Sequence, residues 1–155
     1  MLKNWIISLF ILVAPSVYAS SQLELVDNLS RITEASKASK KIVIVLVTQP
    51  ECGYCEYVKS VHIEPMLRKG TLANIAVVRE LGLAEISITD FSGKSVSPGK
   101  FARRYDAEFA PSLLFLSAKG EQLHEPIIGV GSRDYYGYYL DKAIENSVKL
   151  LNESD

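Results

Sequence analysis

The run Ile42-Val43-Ile44-Val45-Leu46-Val47 is apolar at every position and rich in β-branched side chains, where a strand with one wet face would alternate. Such a run predicts a strand covered on both faces, in the middle of a sheet. Ahead of it, Leu25, Val26, Leu29, Ile32 and Ala35 recur at helical spacing among Ser, Lys and Glu, which predicts an amphipathic helix over residues 21–40. Behind it, a helix starting near Cys52 puts Val58 and Val61 on an inward stripe and ends near Pro65, with a further short turn through Met66 and Leu67 that Gly70 stops. Residues 74–80 read as a second strand, and residues 85–89 as a shorter extended piece with polar alternation.

The second half is punctuated by proline and glycine. Ser97-Pro98 predicts a cap and first turn for a helix through Phe101, Ala102 and Tyr105. Pro111 then heads a strand through Leu116, where its missing N–H does least damage. Residues 118–121 form a hairpin turn, residues 122–128 return as a strand, and Gly129 and Gly131 break it. Ser132 is placed to cap a last helix whose inner face is Leu140, Ala143, Ile144, Val148 and Leu151. The predicted order is α-βαβ-α-ββα.

The first nineteen residues carry a different pattern. Lys3 precedes the apolar stretch from Trp5 to Ala14, and Val17-Tyr18-Ala19 offers small residues at the two positions a signal peptidase reads. Residues 1–19 are thus expected to be a cleaved export signal, and residues 20–155 a single domain. The competing reading is a retained anchor, but Pro15 interrupts a stretch much shorter than the roughly 20 apolar residues that cross a bilayer. With 17 basic and 18 acidic side chains in the whole chain, charge gives no footprint for nucleic acid or anionic lipid.

The candidate chemistry is Cys52-Gly53-Tyr54-Cys55, which holds the only cysteines in the chain and directly follows the apolar strand. A helix beginning there aims unpaired N–H groups and the positive end of its dipole at the first sulfur and favours thiolate over thiol. Cys52 is then the nucleophile, and Cys55, about one turn on, can close a disulfide with it. Two other readings of the spacing stand beside this one. Zinc usually takes four Cys or His ligands, and the chain adds only His62 and His124, the former about two helical turns beyond Cys55. An inert structural disulfide suits an exported protein, yet a bridge across two residues closes a loop too small to stabilise much. Glu51 and Glu56 flank the motif and oppose a Cys52 thiolate by like charge.

Strand, Cys-Gly-Tyr-Cys, helix, strand, helix, Ala-Pro-strand, Lys-Gly hairpin and final helix, in that order, resemble the thioredoxin fold along the whole chain after residue 19. The chain looks most like exported thioredoxin-like proteins of the SoxW and Dsb types. The resemblance implies a three-layer α/β/α sandwich around a mixed sheet of four to five strands. It further implies a cis-proline at Pro111 and a substrate groove formed by Ala110, Pro111, Gly53 and Tyr54, with no cofactor and no metal. The implied activity is a periplasmic thiol-disulfide oxidoreductase acting on disulfides of exported clients and recharged by a membrane-bound electron donor. Thioredoxin itself has Trp before its first cysteine and Gly-Pro between the two, where this chain has Glu51 and Gly53-Tyr54. A non-catalytic partner-binding module and a disulfide isomerase or chaperone remain alternatives. His62 and His124 read chiefly as structural, and Tyr135, Tyr136, Tyr138 and Tyr139 as partly core and partly exposed edge.

Overall fold

A computed structural model of the chain describes residues 23–154. The export signal expected at residues 1–19 lies outside them. The central sheet has four strands in the order β2-β1-β5-β6, where β1 is Ile42–Thr48, β2 Ala76–Gly82, β5 Ser112–Leu116 and β6 Gln122–Ile128. β1 runs parallel to β2 and antiparallel to β5, and β5 pairs antiparallel with β6, so the sheet is mixed. Every residue of β1 is buried, as the absence of alternation predicted, and so is every residue of β5.

Alternate residues of these strands feed two cores. Ile42, Ile44 and Leu46 of β1, with Leu113 and Phe115 of β5, face the helix that follows the cysteines and the last helix, α5 (Arg133–Glu153). Val43, Val45 and Val47, with Leu114 and Leu116, face α1 (Leu29–Ser39) and α4 (Pro98–Arg103). The result is helix on sheet on helix. α5 buries Tyr136, Leu140, Ala143 and Ile144, and Val148 and Leu151 lie half-buried on the same side.

Three expectations change. The lead-in helix starts at Leu29, not near Ser21, because Asn28 caps it by accepting from the amides of Ser30 and Arg31 at 3.0 and 3.3 Å. Leu25 and Val26 belong instead to an extended segment that pairs with β2, Val26 N–H donating to Glu80 O at 2.8 Å and Glu80 N–H to Glu24 O at 2.9 Å. Helical spacing at those two residues was overridden by a sheet edge that needed partners. Second, the helix does not stop near Pro65. It runs as α2 (Gly53–Tyr57), a π-helical turn (Val58–Ile63) and α3 (Glu64–Arg68), and the widened turn sits where α-geometry would press the Pro65 ring against the Val61 carbonyl. Burial therefore falls on Val58 and Ile63, five apart, and Val61 is 51% exposed. Third, the extended piece expected over residues 85–89 shortens to two residues and lies outside the four-stranded sheet. Ile88–Thr89 (β3) forms its own antiparallel pair with Ser95–Val96 (β4).

The predicted hairpin closes at Gly120, with φ +82°, and a Cβ there would sit 2.6 Å from the Phe91 ring. Glycine is required at that turn on both counts. Ser97 and Ser132 occupy the cap positions of α4 and α5, but neither side chain makes a capping hydrogen bond.

The Asn28 cap yields a stability prediction. Asn28→Ala should destabilise the protein by about 1 kcal/mol and Asn28→Asp should leave it nearly unchanged, read as the urea midpoint at constant m-value. Equal losses in both variants would show that the side chain does not cap α1.

Candidate active site

The ladder between β1 and β5 brings the two sequence signals to one place. Val47 pairs with Ser112, so the chain leaving β1 toward Cys52 and the chain entering β5 from Pro111 share one end of the sheet. The Ala110–Pro111 peptide is cis. Pro111 is buried, its carbonyl accepts from Gly129 N–H at 2.7 Å, and Ala110 stands outside the ladder. Among the described residues, the Ala110 amide and carbonyl have no hydrogen-bond partner.

Glu51 makes the turn out of β1 with φ +55°, a left-handed conformation costly for a residue with a Cβ. Cys52 then takes the cap position of α2, with extended φ and ψ of −98° and 94°. Its Sγ accepts a hydrogen bond from Cys55 N–H at 3.1 Å, so one of the helix's unpaired amides points at this sulfur. Cys52 and Cys55 form a disulfide, with an S–S distance of 1.98 Å and Cα atoms 5.2 Å apart. The two sulfurs are not equivalent in access. Cys52 is half-buried with Gly53 and Tyr54 exposed beside it, and Cys55 is 2% exposed on the core side.

Charge around the motif is arranged more closely than the sequence disclosed. Lys59, one turn past Cys55, reaches Glu80 of β2 at 2.9 Å and Glu56 at 3.3 Å. Thr48 also donates to Glu80, at 2.9 Å. Burial tends to lower the Lys59 pKa, but hydrogen bonds and charge from Glu80 and Glu56 hold it above the ordinary lysine value. Glu56 thus shares its charge with a cation, which offsets its opposition to a thiolate at Cys52.

Arg133, which the sequence reading passed over, opens α5 beside the motif. Its guanidinium carbon lies 5.4 Å from the centre of the Tyr54 ring and 5.0 Å from that of Tyr57. No local pattern announces such a contact, because it joins elements 76 residues apart. The two histidines have structural settings. His62 lies between the rings of Tyr57 and Tyr136, with centroids at 5.4 and 5.0 Å, and His124 packs edge-on against Phe115. Of the four tyrosines in α5, Tyr136 is buried and Tyr135, Tyr138 and Tyr139 are exposed. Among the described residues, no group of three or more His, Cys, Asp or Glu is placed to hold a metal ion.

The thioredoxin-like domain family matches residues 30–144, and the chain belongs to it. No curated protein matches the chain. Among solved structures it is similar to oxidized mitochondrial thioredoxin 3 of Saccharomyces cerevisiae, at 17% identity over 80% of this chain and 94% of that one, with a TM-score of 0.51. It is also similar to a chain in the complex of ferredoxin:thioredoxin reductase with thioredoxin f2, at 16% identity over 81% and 94%, TM-score 0.54. A third likeness, at 14% identity over 81% and 96% and with a TM-score of 0.54, is to a structure addressing thiol resolution in a yeast mitochondrial 1-Cys peroxiredoxin. These likenesses speak for the fold. The family, together with a close Cys-x-x-Cys pair at a helix start, supports a thiol-disulfide oxidoreductase.

His62 gives the fold a pH signature. Burial lowers its pKa below the ordinary histidine value, with Asp141 partly opposing. The folded state therefore prefers the neutral ring, and its contribution is complete above about pH 6.5 and lost as pH falls through that value toward the folded pKa. Stability measured from pH 7 to pH 5 should fall less steeply in His62→Phe than in the parent protein; equal slopes would remove His62 from the account.

Proposed function

We propose that this chain is a periplasmic thiol-disulfide oxidoreductase that reduces disulfides in exported client proteins through a Cys52/Cys55 cycle. The observation that carries the proposal is the asymmetric pair: a half-buried Cys52 receiving an amide hydrogen bond at the start of a helix, and a buried Cys55 within bonding reach.

In the reduced protein the Cys52 thiolate attacks one sulfur of a client disulfide. A bond forms between Cys52 and the client as the client's own S–S bond breaks, and the departing client sulfur takes up a proton. Cys55, deprotonated, then attacks the Cys52 sulfur. The mixed disulfide breaks, the client leaves as a dithiol with the second proton, and two electrons have passed from the protein to the client. Ala110 and Pro111, with Gly53 and Tyr54, are the residues on which the client segment rests, the free backbone groups of Ala110 pairing with it as an added strand. A client disulfide is the substrate, and a membrane-bound electron donor restores the dithiol. Export is assigned to residues 1–19, leaving residues 20–155 as one thioredoxin-like domain.

Two measurements test the proposal. Cys52→Ser should abolish disulfide reduction, and Cys55→Ser should accumulate client proteins disulfide-linked to Cys52; activity that persists in Cys52→Ser overturns the cycle. Expressed with its leader, the protein should be recovered from the periplasm with residue 20 at its N-terminus, and an intact N-terminus in the membrane fraction would overturn the assignment of export.

A further inference from the structure

If the chain is a thiol-disulfide oxidoreductase as proposed, Arg133 acts on its redox site beside the two sulfurs. Three contacts hold it to the helix that bears the motif: its guanidinium lies over Tyr54, it lies over Tyr57, and its carbonyl accepts from the Tyr57 hydroxyl at 3.3 Å. Tyr57 is itself anchored, because its hydroxyl lies 3.4 Å from Nε2 of His62, which leans on buried Tyr136. The cation is therefore seated on a platform tied to the core.

Its place matters because Tyr54 belongs to the first turn of α2 and Cys52 caps that turn. Glu51, next to Cys52, and Asp134, next to Arg133, stand in no ion pair among the described residues. Lys59 is neutralised by Glu80 and Glu56, whereas Arg133 has no carboxylate within ion-pair distance among the described residues. Its charge adds to the positive end of the helix where a Cys52 thiolate would form.

We propose that Arg133 is a positioning residue of the redox site: it fixes Tyr54 through its guanidinium and lends the Cys52 thiolate a positive charge that no ion pair takes up, opposing the negative charge of Glu51. Stabilising the thiolate stabilises the reduced protein, so Arg133 makes the couple more oxidising than the motif and helix alone would.

The test is the dithiol-disulfide equilibrium against glutathione, measured for the parent protein, Arg133→Leu, Arg133→Lys, Tyr54→Leu and the Arg133→Leu/Tyr54→Leu double variant, together with the pH dependence of the Cys52 thiolate. Arg133→Leu should shift the equilibrium toward the disulfide by about threefold to tenfold, about 15 to 30 mV at 29.6 mV per tenfold. Arg133→Lys, which keeps the charge, should recover most of that shift, and the effect of Arg133→Leu should shrink in the Tyr54→Leu background. An equilibrium unmoved by Arg133→Leu, or a shift equally large without Tyr54, overturns the proposal. A parent protein that never exchanges with glutathione sinks the oxidoreductase reading itself, whereas a parent that cycles with Arg133→Leu unchanged sinks only the role of Arg133.

Discussion

Val47 of β1 and Ser112 of β5 sit opposite one another at the end of an antiparallel ladder in which every residue on both strands is buried, and the two segments leaving that end carry Cys52 and Pro111. The rest of the site depends on this register. A slip of one residue would turn Ile42, Ile44 and Leu46 from the core they share with α5 to the one they do not, exchanging the packing of the whole strand. Since both faces are covered by helices, no slipped arrangement keeps the same fit, and the relative placement of motif and proline is fixed by packing instead of by contacts between them.

The helix that starts at Cys52 resolves a conflict between three demands. It must begin abruptly so that its first amides face a sulfur, bury Cys55 and Val58 behind it, and still pass through Pro65. The left-handed Glu51 provides the abrupt start and the π turn at Val58–Ile63 provides the passage. The Lys59–Glu80 pair then joins the helix to β2 from the far side of the motif. Both partners are mostly buried, so either one left alone would be an unpaired charge in a poorly solvated site. The acidic surroundings that seemed to oppose a thiolate are thus partly spent on lysine.

Much of the architecture was legible because it rested on local patterns. β1 lacks alternation, Pro111 marks the head of β5, the Gly120 turn needs a positive φ, and strand followed by Cys-x-x-Cys is a compact signal. What escaped the sequence was decided by partners distant along the chain. Leu25 and Val26 have helical spacing, but the free edge of β2 claims their backbone. Val61 obeys the period of an α-helix that here changes pitch, and β4 is two residues long, too short for any periodicity. Arg133 looks like an ordinary first-turn residue until α5 is packed beside α2. The candidate site divides the same way: the cysteine pair and its flanking glutamates were readable, cis Pro111 came from the resemblance alone, and the pairing of Glu56 with Lys59 and the place of Arg133 were not readable.

The central claim is that Cys52 and Cys55 are chemically unlike because one receives a helix amide at an accessible position and the other is buried. Alkylation of the fully reduced protein, followed by mass spectrometry of each cysteine across pH, tests it directly. The account predicts that Cys52 is modified at least about tenfold faster than Cys55 and already reacts at neutral pH, where an ordinary thiol is mostly protonated. Equal rates, or a Cys55 that reacts first, would contradict it.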